Sequence, residues 1–254
     1  MDAVEATDRL AEIHYKCLKS WATVRTFLTV SRNGLAASRK AFYEQAYSLP
    51  EQLESSDWFI PDKTKLTPDF RNMLATSLSE ARTLEAQSVS EAFALVFAHS
   101  TLDATATDLC DLIARISPKD WEPAVIKKKV ELAELNDMPP YDVVLQSFVL
   151  EYIEKEVARK SLPDRVELIN QKCQPFPKTG SWQLYIMDPR RLRAFDERRH
   201  NIVHRLQLKT SGPDVEQDAL YCETTCLYLT HMVAYKYNVQ VDVDAMRRAA
   251  QKLA

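Results

Sequence analysis

Residues 190–208 read RRLRAFDERRHNIVHRLQL, and the organisation of the chain follows from this stretch. Asp188 stands where a helix N-cap belongs, and Pro189 fits the first helical position, where its missing N–H is one that the helix leaves unbonded anyway. Leu192, Phe195, Ile202, Val203 and Leu206 supply an apolar side. The other side carries Arg190, Arg191, Arg193, Arg198, Arg199 and Arg205 together with His200, Asn201 and His204, a mixture too varied for a plain solvated face. The spacing predicts an amphipathic helix whose polar side concentrates the chain's candidate chemistry.

The rest of the sequence is helical in pattern. Among 254 residues there are only three glycines, and no Asn-Gly or Asp-Gly hairpin turn joins alternating apolar runs. Helices joined by short proline-marked turns, an all-α fold, are the consequence. Val4, Leu10, Ile13, Cys17, Trp21, Val24 and Leu28 predict a first helix over 2–30, which Asn33-Gly34 is expected to end. A second helix is expected from Leu35 to Ser48, closed by Pro50, and then a loop in which Trp58, Phe59 and Ile60 are pinned against an apolar surface. Thr67-Pro68-Asp69 starts the next helix by cap, first-position proline and early acid. Ser88 to Glu91 has the spacing of a capping box, at which a new helix starts or the previous one continues.

The run from Ala92 to Ile116 is the most apolar in the chain and predicts a core helix, interrupted by His99, Ser100, Asp103 and Thr107. His99 and Asp103 lie one turn apart and are expected to face the 190–208 helix rather than water. Later helices are expected from Ser117-Pro118 to Leu135, carrying Lys127-Lys128-Lys129 as solvated surface, from Tyr141 to Lys160, and from Pro163 to Cys173. The proline-rich run from Pro175 to Gly180 delivers Trp182 and Tyr185 to the start of the 190–208 helix. Ser211 to Asp214 turns the chain into a long helix reaching Asn238. Val239 to Val243 alternates like a strand but has no partner, and Ala245 to Ala254 reads as a last helix.

Charge and cysteine usage narrow the class. The net charge is −3, so attraction for phosphate has to be local. Five scattered cysteines, odd in number and mostly at apolar helical positions, with no signal peptide ahead of them, suggest a reducing cytoplasm. No apolar run approaches the ~20 residues that span a bilayer. His200 and His204 have the spacing of a helix-borne metal pair, but the residue after the first histidine is Asn201 and not the glutamate a zinc protease uses as base. Cys222 and Cys226 are packed thiols on an apolar face rather than ligands with His231, and no metal or other cofactor is assigned.

Arg199-His200-(Asn201-Ile202-Val203)-His204 resembles the signature of the HEPN superfamily, an arginine, then Asn, Asp or His, then three residues and a histidine. Ile202-Val203-His204-Arg205 also reads as it does in many members. The resemblance covers about 86–240 and implies a HEPN-like helical bundle. Residues 1–85 would then be an N-terminal helical extension and 241–254 a C-terminal helix or tail. Many members are metal-independent ribonucleases of toxin, defence or RNA-processing systems, so the resemblance implies an endoribonuclease acting as a toxin or antiviral defence effector. Its partner is RNA, with an antitoxin or an associated system protein as a further one. Its alternative is a catalytically silent RNA-binding or scaffold protein.

The same resemblance implies a cleft built from two motif helices in a homodimer. Arg199 and His204 are about 140° apart on a straight helix at about 100° per residue, so one copy does not bring them to one face. In that cleft His204 exchanges a proton with the RNA, since histidine ordinarily titrates near neutral pH, and Arg199 holds the scissile phosphate. His200 and Asn201 orient these groups. Asp103 matches an acid that faces the site in the family, and Arg193, Arg198 and Arg205 are candidate phosphate contacts. Surface ion pairs of Arg199 with Glu197 and Asp196, and a His204 packed at a helix interface, would explain the same residues without chemistry.

Overall fold

A computed structural model describes residues 1–54, 67–126, 139–177, 182, 185, 187–208 and 215–253, and of residues 49–54 the backbone alone. Among these residues the chain is all-α, with no strand. The helices are α1 (Ala3–Glu54), α2 (Pro68–Ile116), α3 (Glu122–Val125), α4 (Tyr141–Tyr152), α5 (Leu162–Cys173), α6 (Pro189–Arg205), α7 (Val215–Lys236) and α8 (Val243–Lys252). A 3₁₀ turn over Pro118–Trp121 leads into α3, and a π-turn over Ile153–Val157 extends α4. No described helix is long and apolar enough to cross a membrane.

Helix starts follow the local chemistry. The side chains of Thr67, Ser161, Asp188 and Asp242 accept from the backbone N–H of Phe70, Asp164, Arg190 and Ala245. Each cap bonds one of the four donors that a helix leaves free at its start. The expected stop at Asn33-Gly34 does not occur: α1 runs through it as one helix of 52 residues. Here α1 lies along α2, held by Arg39 to Glu80 (3.0 Å), Arg82 to Gln45 (2.7 Å) and a Tyr43–Asn72 hydrogen bond. Buried Ala46, Ala75 and Ser79 let the two backbones approach closely. This interhelical packing outweighs the weak helix preference of one exposed glycine. Ser88 likewise starts nothing, because α2 passes through it. The expected domain boundary at 85–86 falls inside the same unbroken helix.

The core explains why. Ala6, Leu10, Ile13, Cys17, Trp21, Val24 and Leu28 of α1 share one buried cluster with α2, α4, α5, α6 and α7. One face of α1 between Ala6 and Leu28 therefore contributes to the core. Leu95, Leu102 and Leu109 of α2 are fully buried, each contributing roughly 1.5–3 kcal/mol. Helix α8 closes the other side of α1 through Ala11, Ala245 and Ala249, with Arg248 on Asp8 and Lys252 on Glu12 (2.6 Å). The five cysteines are free and buried, and burial pushes the Cys110 and Cys173 thiols up to about 12. Residues 239–242 form no strand. Trp58, Phe59 and Ile60, Lys127 to Lys129, and the turn from Ser211 to Asp214 lie outside the described residues.

Gly34 is exposed, and a Cβ added there would meet nothing within 4 Å. Gly34→Ala should therefore raise stability by about 0.5–1 kcal/mol, read as a higher urea midpoint with unchanged slope.

Candidate functional site

Helix α6 is placed by charge as much as by its apolar stripe. Leu192, Phe195 and Ile202 enter the core, but Val203 and Leu206, expected on the same side, are 40 % and 78 % exposed. Leu206 ends the helix in the left-handed conformation (φ 53°), its N–H donating to the Asn201 carbonyl. On the α7 side Asp218, buried, receives Arg191 (3.1 Å) on one oxygen and Arg198 on the other. Arg191 also lies over the Tyr221 ring at 4.4 Å, and the Tyr221 hydroxyl donates to the Asp188 carbonyl (3.1 Å). A carboxylate removed from water is tolerable because two guanidiniums meet it.

Arg198 is thus turned into the α6–α7 contact, where Asp218 takes it. Its Nε and Nη2 are enclosed there without a hydrogen-bond partner. Arg193 and Arg205 are exposed, as a phosphate contact requires. Asp218 and Tyr221 were not singled out from the sequence, and Arg191 was read only as one of six arginines on the helix. Asp218 left a signal, because it precedes Cys222 and Cys226 at four-residue steps on the buried stripe of α7.

The motif residues divide between two directions. His200 and His204 are exposed, with ring centroids 4.7 Å apart. Arg199 lies at the edge of the buried face; its Nε is enclosed and unpartnered, and among the described residues its guanidinium has no ion pair. Asn201 is half-buried. The surface pairing of Arg199 with Asp196 or Glu197 is not what forms. Asp196 instead meets His99 of α2 across 2.7 Å, and the His99 ring stacks on Phe195 at 5.7 Å. His99 is buried and faces α6 as expected.

Asp103 does not follow it. One turn along α2 the neighbouring helix is α5, and Asp103 pairs there with Arg165, whose guanidinium also donates to Thr107 (2.8 Å) and the Ala158 carbonyl (3.4 Å). Arg165 is buried, and a buried guanidinium requires such an acid, so Asp103 is committed to the α2–α5 contact. The acid beside the motif is Asp196, supplied by α6 itself one turn before Arg199 and His200. Ser100 and Thr107 bond back to the carbonyls four residues earlier (both 2.9 Å).

Trp182 and Tyr185 pack on α7, against Tyr228 at 5.5 and 4.5 Å, and Tyr185 shares a hydrogen bond with Thr225 (2.7 Å). They brace α7 opposite the start of α6. Cys222 and Cys226 are fully buried while His231 is exposed, so these three do not converge. No group of three potential metal ligands occurs among the described residues.

Asp218→Ala leaves two arginines facing an enclosed contact and should cost about 3 kcal/mol in urea unfolding, the lower end for a broken buried pair because Arg191 is partly solvated. Glu80→Ala, removing an exposed partner of Arg39, should stay within about 1 kcal/mol. Equal effects would show that Asp218 does not hold α6.

Searches found no family model that matches this chain, and no curated protein or solved structure with significant similarity.

Proposed function

We propose that the chain is a metal-independent endoribonuclease of HEPN type, with a HEPN-like bundle and a cleft completed by a second copy. The observation that carries this reading is the motif's presentation: His200 and His204 are exposed on α6, and the Arg199 guanidinium of the same motif is unneutralised among the described residues. Four of the six arginines on α6, Arg190, Arg193, Arg199 and Arg205, have no acidic partner among the described residues, which supplies the local positive charge that the net charge withholds. Val203 and Leu206, exposed at the end of the same helix, give a second copy something apolar to cover.

The reaction uses the RNA's own 2′-hydroxyl as nucleophile. Its oxygen attacks the adjacent phosphorus as His204 takes the hydroxyl proton, the bond to the 5′-oxygen breaks, and the proton is returned to that departing oxygen. Arg199 grips the phosphate oxygens on which charge develops. His200 and Asn201 orient the imidazole and the RNA, and Arg193 and Arg205 hold flanking phosphates. The divergence of Arg199 and His204 within one copy favours the alternative of a silent RNA-binding scaffold if the chain stays monomeric.

Incubation with generic RNA in EDTA decides between them. Cleavage should persist, leave 2′,3′-cyclic phosphate and 5′-hydroxyl ends, and spare DNA. His204→Ala should lower the rate by roughly 10²–10⁴-fold with the fold intact, and Arg199→Lys should also damage it, because an ammonium does not reproduce the bidentate grip. Products with 5′-phosphate ends, or a need for Mg²⁺, would rule the mechanism out.

Light scattering at assay concentration should give the mass of a dimer, with Val203→Glu shifting it towards the monomer. A wild-type monomer that cleaves RNA would refute the two-copy cleft.

A further inference from the structure

We propose that His200 and His204 form a site for one first-row transition cation of the Zn²⁺, Ni²⁺ or Cu²⁺ class, and that the bound cation withdraws His204 from proton transfer. The inhibitory half rests on the ribonuclease reading; the site itself does not.

The ring separation matches that of two imidazoles sharing one metal. With metal–nitrogen bonds of about 2.0–2.1 Å and ring centroids about 1.1 Å beyond each nitrogen, imidazoles about 90–110° apart at one metal have centroids roughly 4.5–5.2 Å apart. The observed separation is 4.7 Å, with the planes inclined at 43°. Both rings are exposed, and among the described residues neither has a hydrogen-bond partner to be displaced. The four-residue spacing on a continuous helix holds the pair in place, so little ordering is needed on binding. Glu197, exposed and one turn before His200, lies on the same stripe as an outer acceptor.

The other close histidine pair lacks these properties. His14 and His231 are 6.4 Å apart and edge-on, and His231 Nδ1 is engaged with the Leu227 carbonyl at 2.9 Å. At the 200/204 pair the chain supplies two ligands and water the rest, which makes the cation exchangeable. Imidazole selects this class of cation, whereas Mg²⁺ prefers oxygen ligands and should not compete. A nitrogen bound to a cation neither accepts nor returns a proton, so an occupied site is a silent one.

The full chain, stripped of metal, is titrated calorimetrically with Ni²⁺ and with Zn²⁺. The wild type should show one saturable site per chain. His200→Asn and His204→Asn, checked by circular dichroism, should weaken it about tenfold or more, while His231→Asn leaves it unchanged. Absence of saturable binding, or binding indifferent to both substitutions, overturns the site. In the RNA assay, saturating Zn²⁺ should slow cleavage at least about tenfold where equal Mg²⁺ does not. Saturable binding with undiminished cleavage overturns the inhibitory role. No cleavage under any condition removes that role together with the ribonuclease reading, and the titration still decides the site.

Discussion

The burial of α2 between Ala92 and Ala114 is the constraint on which the other helices depend. Its apolar residues face α1, α5, α6 and α7 in turn, so each of those helices is positioned by which part of α2 it covers. The polar groups on this segment do not weaken it: Ser100, Thr101 and Thr105 bond back to carbonyls of α2 itself, and others are matched by the helix they meet. His99 answers Asp196 of α6, and Asp103 with Thr107 answers Arg165 of α5. Buried polar groups without partners are costly, so these pairs also fix the rotation of α5 and α6 about their own axes.

Rotation is what matters for the candidate site. On α6 the three residues Leu192, Phe195 and Ile202 pull one side into the core, and Asp218 of α7 pulls Arg191 and Arg198 the same way. The opposite side, with Arg193, His200 and His204, is thereby turned outward. Had α6 been held by hydrophobic contacts alone, its stripe of three residues would tolerate a wider range of angles. Arg199 lies at the boundary, with its Nε enclosed and its guanidinium unpaired among the described residues, the position from which a long side chain reaches a ligand bound over the outer face.

The first halves of α1 and α2 have different partners. Residues 6–28 of α1 lie in the core, whereas the C-terminal half of α1 and the N-terminal half of α2 pack chiefly on each other, sparsely lined by Ala46, Ala75 and Ser79. That two-helix arm depends on cross-helix polar contacts more than on burial. Exposed Phe27, Phe93 and Phe97 mark where the arm joins the core.

The sequence by itself determined what depends on near neighbours in the chain. The caps at Thr67 and Asp188, the prolines just after them, the amphipathic 190–208 helix and the all-α class were legible, because capping and periodicity are satisfied within one or two turns. Only the tertiary structure decided what depends on a second helix. Asn33-Gly34 reads locally as a stop, but α2 alongside holds the helix together. Asp103 and His99 look equivalent one turn apart, but the helix that α2 meets at one is α5 and at the other α6. Arg198 and Arg199 are adjacent and chemically alike, and it is Asp218, twenty residues away, that takes the first and leaves the second.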